Sequence, residues 1–262
     1  MGEDYGITGG TADKLEAIPY YNTNLQIEEL KQNIKEIGIG LITQTSNIAP
    51  ADKKIYALRD VISCTGSTPL IASSIMCKKI ALGVNKLVLE VTYGNGSSMK
   101  TKKQVKRLAK MMISIGKWSG KETVCVLTNM DEPMGYSVGN SLEVIEAVKA
   151  LKGEIAEDVK EVVLDLGVQM IKLAGGNNIT DNKNKILEVI ENGKAYEKFK
   201  ELVKKQGGDV SFIEDLDKFE KAPVIVPLIA DNSGYVEKLD AGIVRKSFGR
   251  TWRRKKTKNR PD

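Results

Sequence analysis

Two short segments of this chain place aromatic, hydroxyl and cationic side chains at helical spacing. Tyr56 and Arg59 are three positions apart, and Ser74 and Lys78 are four positions apart, so the members of each pair would share one face of a helix. The turn-rich segment 63–69 could fold one helix back on the other. The pocket formed in this way would contain an aromatic wall, a hydroxyl and two cations. It would suit a flat polar ring that gains negative charge as it leaves a sugar.

The same spacing also fits side chains that perform no chemistry. Arg59 could pair with Asp60 or another neighbour, and Lys78 and Lys79 could form a solvated helix face, because charged side chains are usually exposed. Spacing alone leaves both interpretations open.

Hydrophobic periodicity along the chain predicts helices that alternate with strands. The predicted helices are Leu25–Ile37, Asp52–Ile62, Pro69–Ala81, Lys103–Lys117, Ser141–Leu151, Val159–Leu173, Asp181–Glu191 and Lys194–Lys205. The predicted strands are Ile39–Thr43, Lys86–Thr92, Glu122–Thr128, Pro223–Ile229 and Tyr235–Leu239. Gly38 is expected to end the first of these helices. The alternation indicates an α/β fold with a mostly parallel sheet flanked by helices.

The composition excludes several classes of protein. A chain of 262 residues can bury a large core, and we expect a soluble, cytoplasmic protein because neither a membrane-spanning run nor a leader is evident. The absence of histidine excludes a Ser-His-Asp triad and imidazole metal ligands within this chain. Cys64, Cys77 and Cys125 lack the paired spacing of zinc or redox sites, so buried, reduced thiols are expected.

Positive charge is concentrated at the end of the sequence. The formal net charge is +6, and residues 245–262 hold nine basic side chains and one acidic side chain. The rest of the chain is therefore close to neutral, which argues against nucleic acid as its partner. The basic tail could be an arm for an anionic partner or a disordered end. We favour a third interpretation, in which a frameshifted or truncated reading frame encodes it.

Several motifs in this chain resemble those of the thymidine and pyrimidine-nucleoside phosphorylases. The segment that contains Tyr56, Arg59, Ser74 and Lys78 is similar to the pyrimidine-binding segment of that family. Other motifs follow in the family's order, and they are Thr8-Gly-Gly-Thr-Ala-Asp-Lys-Leu-Glu-Ala-Ile-Pro19, Gln44-Thr45, Ala49-Pro-Ala-Asp-Lys-Lys54, Gly135-Tyr-Ser-Val-Gly-Asn140 and Gln206-Gly-Gly-Asp209. The resemblance therefore covers nearly the whole chain and rests on many separate motifs.

The resemblance implies a pentosyltransferase that acts by phosphorolysis. A pyrimidine nucleoside (thymidine, deoxyuridine or uridine) and inorganic phosphate would give the free base and (deoxy)ribose 1-phosphate, with no organic cofactor. Arg59 and Lys78 would be catalytic and contact the ring oxygens, Ser74 would bond the amide edge of the base, and Tyr56 would flank the ring. The resemblance also implies a homodimer, and it does not separate thymidine from uridine as the substrate.

The remaining implied sites concern phosphate and a cation. Phosphate would be bound by Thr11, Gly9 and Gly10, at a turn that leads into a helix. A structural cation near the hinge would be held by Met134, Ser137 and Glu146.

The resemblance further implies a protein of two lobes with the substrate between them. Residues 1–50 and 82–240 would form the α/β phosphate-side lobe, residues 51–81 would belong to a small helical pyrimidine-binding lobe, and residues 241–262 would be the basic tail. A hinge motion of the lobes would close the cleft and expel water.

The phosphate half departs from the family pattern. A serine and an arginine of the family are replaced by Met1 and Glu3, and a Lys-His-Ser-Thr-Gly-Gly loop is expected upstream of the matched region. An N- and C-terminally truncated chain of this kind should expose apolar surface near Val224–Ile229 and Tyr235–Leu239. It could be a catalytically inactive remnant that retains base binding or pairs with a full-length relative. A phosphoribosyltransferase of the same fold is a further alternative.

Overall fold

The computed structural model of this chain describes residues 10–43, 48–62, 64, 66–176, 178–244 and 247. The helices are α1 (Thr11–Leu15), α2 (Ile27–Ile37), α3 (Pro50–Val61), α4 (Thr68–Ala81), α5 (Lys102–Trp118), α6 (Asn140–Leu151), α7 (Glu157–Leu173), α8 (Ile179–Glu191), α9 (Lys194–Lys205) and α10 (Ser211–Glu214). The strands are β1 (Lys86–Tyr93) and β2 (Glu122–Asn129). The predicted α/β fold class and all eight predicted helices are confirmed. Gly38 ends α2 in the left-handed conformation, as expected.

The sheet is built by a crossover from β1 through α5 to β2. The two strands pair in parallel, with Lys86 opposite Glu122 and Tyr93 opposite Asn129. Parallel strands need a long connection, and a helix is the usual one. Gly116 allows α5 to approach β2 closely, because a Cβ atom at that position would lie 2.1 Å from Thr123 Oγ1.

One hydrophobic cluster joins α4 to this sheet. Ala72 and Met76 of α4 are fully buried, and they pack in the same cluster as Leu87 of β1 and Met112 of α5. Helix α7 contacts both strands as well. Helix α4 is therefore anchored along one side to the most regular part of the fold, while its other side is available to α3.

A second hydrophobic cluster includes side chains of α6 and α9. Next to it, the Gln206 side chain forms hydrogen bonds to two loops. The Gln206 side chain is 2 % exposed. Its Nε2 donates to the carbonyl oxygens of Asn22, at 2.7 Å, and Leu41, at 2.9 Å, and its Oε1 accepts from the Leu41 N–H at 2.9 Å. One buried amide thus satisfies three backbone groups on two separate loops.

The predicted strand Ile39–Thr43 is wrong. These residues form no strand, because their backbone groups bond to other partners. Leu41 bonds to the Gln206 side chain, and the Thr43 N–H donates to the Thr23 carbonyl oxygen at 2.9 Å. The alternating apolar pattern reflects burial of this segment against α2, where Ile42 and Leu30 share a cluster.

The predicted strands Pro223–Ile229 and Tyr235–Leu239 are also wrong. Within the described residues these segments pair with no strand. Leu228 and Tyr235 are fully exposed, and Val226 is 78 % exposed. A strand requires a neighbouring edge for its N–H and C=O groups, and the described residues provide none beside these segments. The expectation of exposed apolar surface at these two segments is confirmed.

The structure describes only the first part of the predicted basic tail. Ala241 is buried, and its N–H donates to the Asp131 carbonyl oxygen at 2.8 Å. The Val244 N–H donates to the Asp240 carbonyl oxygen, as in a helical turn. Apart from Ser247, residues 245–262 lie outside the described residues, and the expectations for the tail lie there with them.

The three cysteines carry free thiols in the structure. Cys64, Cys77 and Cys125 are free, as expected, although each is only partly buried. Burial raises the pKa of the Cys125 thiol to about 11, so this side chain stays protonated at neutral pH. No helix in the described ranges is long and apolar enough to cross a membrane.

Replacing Gln206 tests whether one amide holds the loops in place. Gln206→Ala should lower the free energy of unfolding by about 3 kcal/mol, because three backbone groups lose a buried partner. Urea denaturation followed by circular dichroism would measure the change. Gln32→Ala on the exposed side of α2 is the matched control and should shift stability by less than about 0.5 kcal/mol. Equal effects of the two substitutions would contradict this role.

Candidate functional site

Helices α3 and α4 form an antiparallel hairpin that carries the predicted base-binding side chains. Pro50 opens α3, and a proline in the first turn of α4 follows its N-cap Ser67, as expected where the missing N–H costs nothing. Arg59, in the last turn of α3, contacts Leu70 in the first turn of α4. Asp52, in the first turn of α3, contacts Lys78 near the end of α4. These two contacts, a hydrogen bond and an ion pair, show that the two helices are antiparallel.

Arg59 lies at the closed end of the hairpin and is only 4 % exposed. Its Nη1 donates to the Leu70 carbonyl oxygen at 3.2 Å and its Nε donates to the Cys64 carbonyl oxygen at 3.4 Å. The guanidinium also lies 5.5 Å from the centre of the Tyr56 ring, within the range of a cation–π contact. The two residues therefore share a face, as their spacing predicts. Arg59 is thus held by neighbouring groups, as the alternative without chemistry also expected, and its contact with a base stays a prediction.

Ser74 and Lys78 lie one turn apart on α4 and share a third partner, Asp52. Asp52 Oδ2 accepts from Ser74 Oγ at 2.9 Å and from Lys78 Nζ at 3.1 Å. Lys78 Nζ also lies 3.3 Å from Ser74 Oγ. Ser74 is 7 % exposed, and the side chains of Lys78 and Asp52 are 20 % and 12 % exposed. The structure thus brings Ser74 and Lys78 together and leaves a small part of Lys78 accessible.

Asp52 is a site residue that the sequence prediction did not include. The sequence spacing could have indicated it. Asp52, Tyr56 and Arg59 follow one another at spacings of four and three and therefore share one face of α3. Ser74 lies one turn beyond Leu70, which Arg59 contacts, so Arg59 and Ser74 are neighbours along the same seam. The seam between α3 and α4 holds one acid, one hydroxyl, one aromatic ring and two cations.

The end of α4 carries more positive charge than Asp52 can neutralise. Lys79 is partly buried and forms no ion pair with any residue that the structure describes. Burial, and then the adjacent Lys78 ammonium, lower the pKa of Lys79 from its ordinary value of 10.5. Burial, followed by the Asp52 carboxylate, raises the pKa of the Cys77 thiol. Among the described side chains the seam itself holds two cations, Arg59 and Lys78, and one acid, Asp52, with no reactive thiolate at Cys77, which suits a ligand that becomes anionic.

The predicted phosphate residues lie at the start of α1. Gly10 is the N-cap of this helix, and its N–H donates to Asp13 Oδ2 at 2.6 Å. Thr11 is exposed at the first helical position. Gly9 lies outside the described residues. The Asp13 carboxylate already accepts from the Gly10 N–H, so this N–H is not free for phosphate, and the Thr11 side chain remains exposed beside it. Phosphate binding by these residues stays a prediction.

The predicted cation residues lie in the loop before α6. Glu146 Oε1 accepts from the Tyr136 N–H at 2.7 Å, and Oε2 accepts from the Ser137 N–H at 2.9 Å. Ser137 and Glu146 are thus brought together, and Met134 belongs to the same loop. Both carboxylate oxygens accept from backbone donors, so Glu146 holds this loop in its turn. In the part of the chain that is described, no group of three or more acidic or thiol side chains could hold a metal, and the cation site stays a prediction.

Removing the Arg59 guanidinium should open the closed end of the hairpin. Arg59→Met keeps the apolar stem but leaves the Cys64 and Leu70 carbonyl oxygens without these donors, and we expect a loss of about 2–3 kcal/mol in the free energy of unfolding. Arg59→Lys should recover only part of this loss, because an ammonium cannot reproduce the planar fork. Chemical denaturation would measure both.

The exposed Arg107 on α5 provides the matched control for this experiment. Arg107→Met should change stability by less than about 0.5 kcal/mol. If Arg59→Met and Arg107→Met have the same effect, Arg59 does not hold the hairpin closed.

The sequence of this chain is similar to a known protein family and to several enzymes. Residues 2–196 match the family described as "Glycosyl transferase family, a/b domain". The chain is 45 % identical over 241 residues to the pyrimidine-nucleoside phosphorylase of Bacillus subtilis (strain 168), an alignment that covers 92 % of this chain and 56 % of that protein. The enzymes of the same name from Staphylococcus haemolyticus (strain JCSC1435) and Geobacillus stearothermophilus are 44 % and 41 % identical, and 56 % of each is covered. The chain thus spans little more than half the length of these relatives.

Proposed function

Because this chain belongs to the glycosyl transferase family, a/b domain, we propose that it acts in the phosphorolysis of pyrimidine nucleosides. The reaction would convert a nucleoside such as thymidine, deoxyuridine or uridine, together with inorganic phosphate, into the free base and (deoxy)ribose 1-phosphate. The relatives named as pyrimidine-nucleoside phosphorylases support this proposal. The observation that carries it is the seam between α3 and α4, where Ser74 and Lys78 share Asp52 and Arg59 lies beside Leu70, one turn before Ser74.

The base half of the reaction fits the electropositive seam. When the N-glycosidic bond breaks, the departing pyrimidine takes negative charge onto its ring oxygens. The Lys78 ammonium and the Arg59 guanidinium would stabilise that charge more strongly in the transition state than in the ground state, which is what accelerates a reaction. Both cations are largely shielded from water, so their electrostatic effect is larger than at an exposed site. Tyr56 would flank the ring.

The phosphate half would be supplied by inorganic phosphate as the nucleophile, with no organic cofactor. Thr11, Gly10 and Gly9 are proposed to contact it. Since the Asp13 carboxylate accepts from the Gly10 N–H, an approaching phosphate dianion would meet a negative charge there. We therefore propose weak phosphate binding by these residues.

The proposed arrangement assigns the two halves to two lobes. Residues 51–81 would present the base site, residues 1–50 and 82–240 would present the phosphate site, and a hinge motion would bring the halves together. A cytoplasmic homodimer is part of the same proposal. The cation loop formed by Met134, Ser137 and Glu146 would lie near the hinge and would not take part in the chemistry.

Base binding without turnover is a second candidate, and one observation favours it. The side chains proposed for the base site contact one another in the seam, whereas the Gly10 N–H of the proposed phosphate turn is already bonded to Asp13. A chain that binds pyrimidine bases but turns over slowly would combine these two properties. Binding and turnover must therefore be measured separately.

Replacing Lys78 tests the base site through turnover. In a phosphorolysis assay with uridine and thymidine, Lys78→Met should lower kcat/KM by about 10²–10³-fold, the usual cost of losing a donor to developing negative charge. The wild-type rate should depend on phosphate and saturate only above about 1 mM, the upper end of ordinary KM values. Chromatographic detection of the released base would measure both quantities.

The exposed Lys110 on α5 offers a control of the same side-chain type. Lys110→Met should leave kcat/KM within about twofold, as a surface substitution does. Uracil binding measured by calorimetry separates the two candidate functions: binding without phosphate-dependent release of base identifies the base-binding candidate. Base release that is indifferent to Lys78→Met would rule out the proposed chemistry.

A further inference from the structure

The hydrogen-bond directions in the base site are set by the Asp52 carboxylate. A serine hydroxyl has one proton to donate, and an ionised carboxylate can only accept. Because Ser74 Oγ lies 2.9 Å from Asp52 Oδ2, the hydroxyl proton points at Asp52. The oxygen of Ser74 is left with acceptor capacity only, part of which Lys78 Nζ uses at 3.3 Å.

The Lys78 ammonium also uses most of its hydrogen-bond donors within the seam. Its ammonium has three N–H donors, and two of them are directed at Asp52 Oδ2, at 3.1 Å, and at Ser74 Oγ. One donor remains. The pair therefore offers a ligand one acceptor, on Ser74, beside one donor, on Lys78. A ligand edge that matches must carry an N–H next to a carbonyl oxygen.

We propose that Asp52 is the residue that makes this site select pyrimidines with a protonated ring N3, such as uracil and thymine, and reject cytosine. This inference rests on the proposed function, since it takes the hairpin seam as the base site. Asp52 would not touch the base. It acts through Ser74 and is a positioning residue that determines specificity.

The chemistry of the two bases explains the discrimination. In uracil, N3 carries a hydrogen that Ser74 Oγ can accept, and the adjacent carbonyl oxygen can accept from Lys78. In cytosine, N3 carries a lone pair, so two acceptors would face each other at Ser74, and the exocyclic amine would face the Lys78 ammonium. Turning the cytosine ring over would exchange the positions of its amine and its carbonyl oxygen. The N3 lone pair would still face Ser74 Oγ, so the mismatch at Ser74 remains in either orientation. Buried groups left without partners in this way are costly.

An asparagine at position 52 would remove this constraint. The Asn amide can either accept the Ser74 proton through its oxygen or donate to Ser74 Oγ through its nitrogen. The hydroxyl could then turn its proton towards the ligand and bond to the N3 lone pair of cytosine. The substitution keeps the size of the side chain, so the change tests the direction of the hydrogen bond more than the packing.

Calorimetric binding of the free bases uracil, cytosine and 3-methyluracil to the full chain tests the proposal without requiring turnover. The wild type should bind uracil at least about tenfold more tightly than either other base, the size expected when one hydrogen bond is replaced by an unsatisfied contact. Asp52→Asn should reduce the uracil-to-cytosine ratio by about tenfold, and Asp52→Glu should keep uracil preferred. Asp165→Asn, on the exposed side of α7, should leave all affinities unchanged.

The possible results separate this inference from the proposed function. If the wild type binds no pyrimidine base, the hairpin is not a base site and the proposed function fails. If the wild type prefers uracil and Asp52→Asn retains the full preference, the base site stands and the role of Asp52 is overturned. Should Asp52→Asn fail to fold, the wild type still decides, since equal binding of uracil and 3-methyluracil would show that Ser74 does not accept from N3.

Discussion

The proposed base site depends on one carboxylate, that of Asp52, shared between Ser74 and Lys78 across two helices. Without it, the described side chains of the seam between α3 and α4 would include two cations and a hydroxyl but no acid. Asp52 lies in the first turn of α3, where the helix dipole favours a negative charge. Burying an ion pair costs desolvation energy, and such pairs are better explained by the arrangement they specify than by the stability they add. Here the arrangement is the direction of the hydrogen bonds offered to a ligand.

The rest of the fold holds this seam in position. Ala72 and Met76 of α4 are packed into the cluster that includes β1 and α5, so Ser74 and Lys78 project from a helix that is fixed by the sheet. Sites on rigid elements hold their geometry better than sites on loops. Arg59 closes the other end of the hairpin through backbone carbonyl groups. The guanidinium therefore has a structural role in addition to any contact with a base.

The two halves of the proposed reaction are unequal in the described residues. The base half is an assembled group of side chains with defined partners. The phosphate half is a short turn where the Gly10 N–H bonds to Asp13, and the loop of the cation residues is shaped by Glu146 itself. The chain spans little more than half the length of its relatives. Among the described residues, the seam between α3 and α4 is the better assembled of the two proposed sites.

The sequence by itself determined eight of the ten described α-helices, the two paired strands and the residue types of the proposed base site. Helix ends agree with the predictions because helical hydrogen bonds and caps are local, and Gly38 or Pro50 acts within one turn. The wrong prediction of a strand at Ile39–Thr43 shows what local sequence cannot determine. A strand forms only where a neighbouring strand bonds to its backbone, and here the Gln206 side chain bonds to the Leu41 backbone groups instead. Only the tertiary structure placed Asp52 against Ser74 and Lys78, because a contact between two helices depends on how they pack. The direction of the Ser74 proton follows from that contact, and no spacing along the chain could have given it.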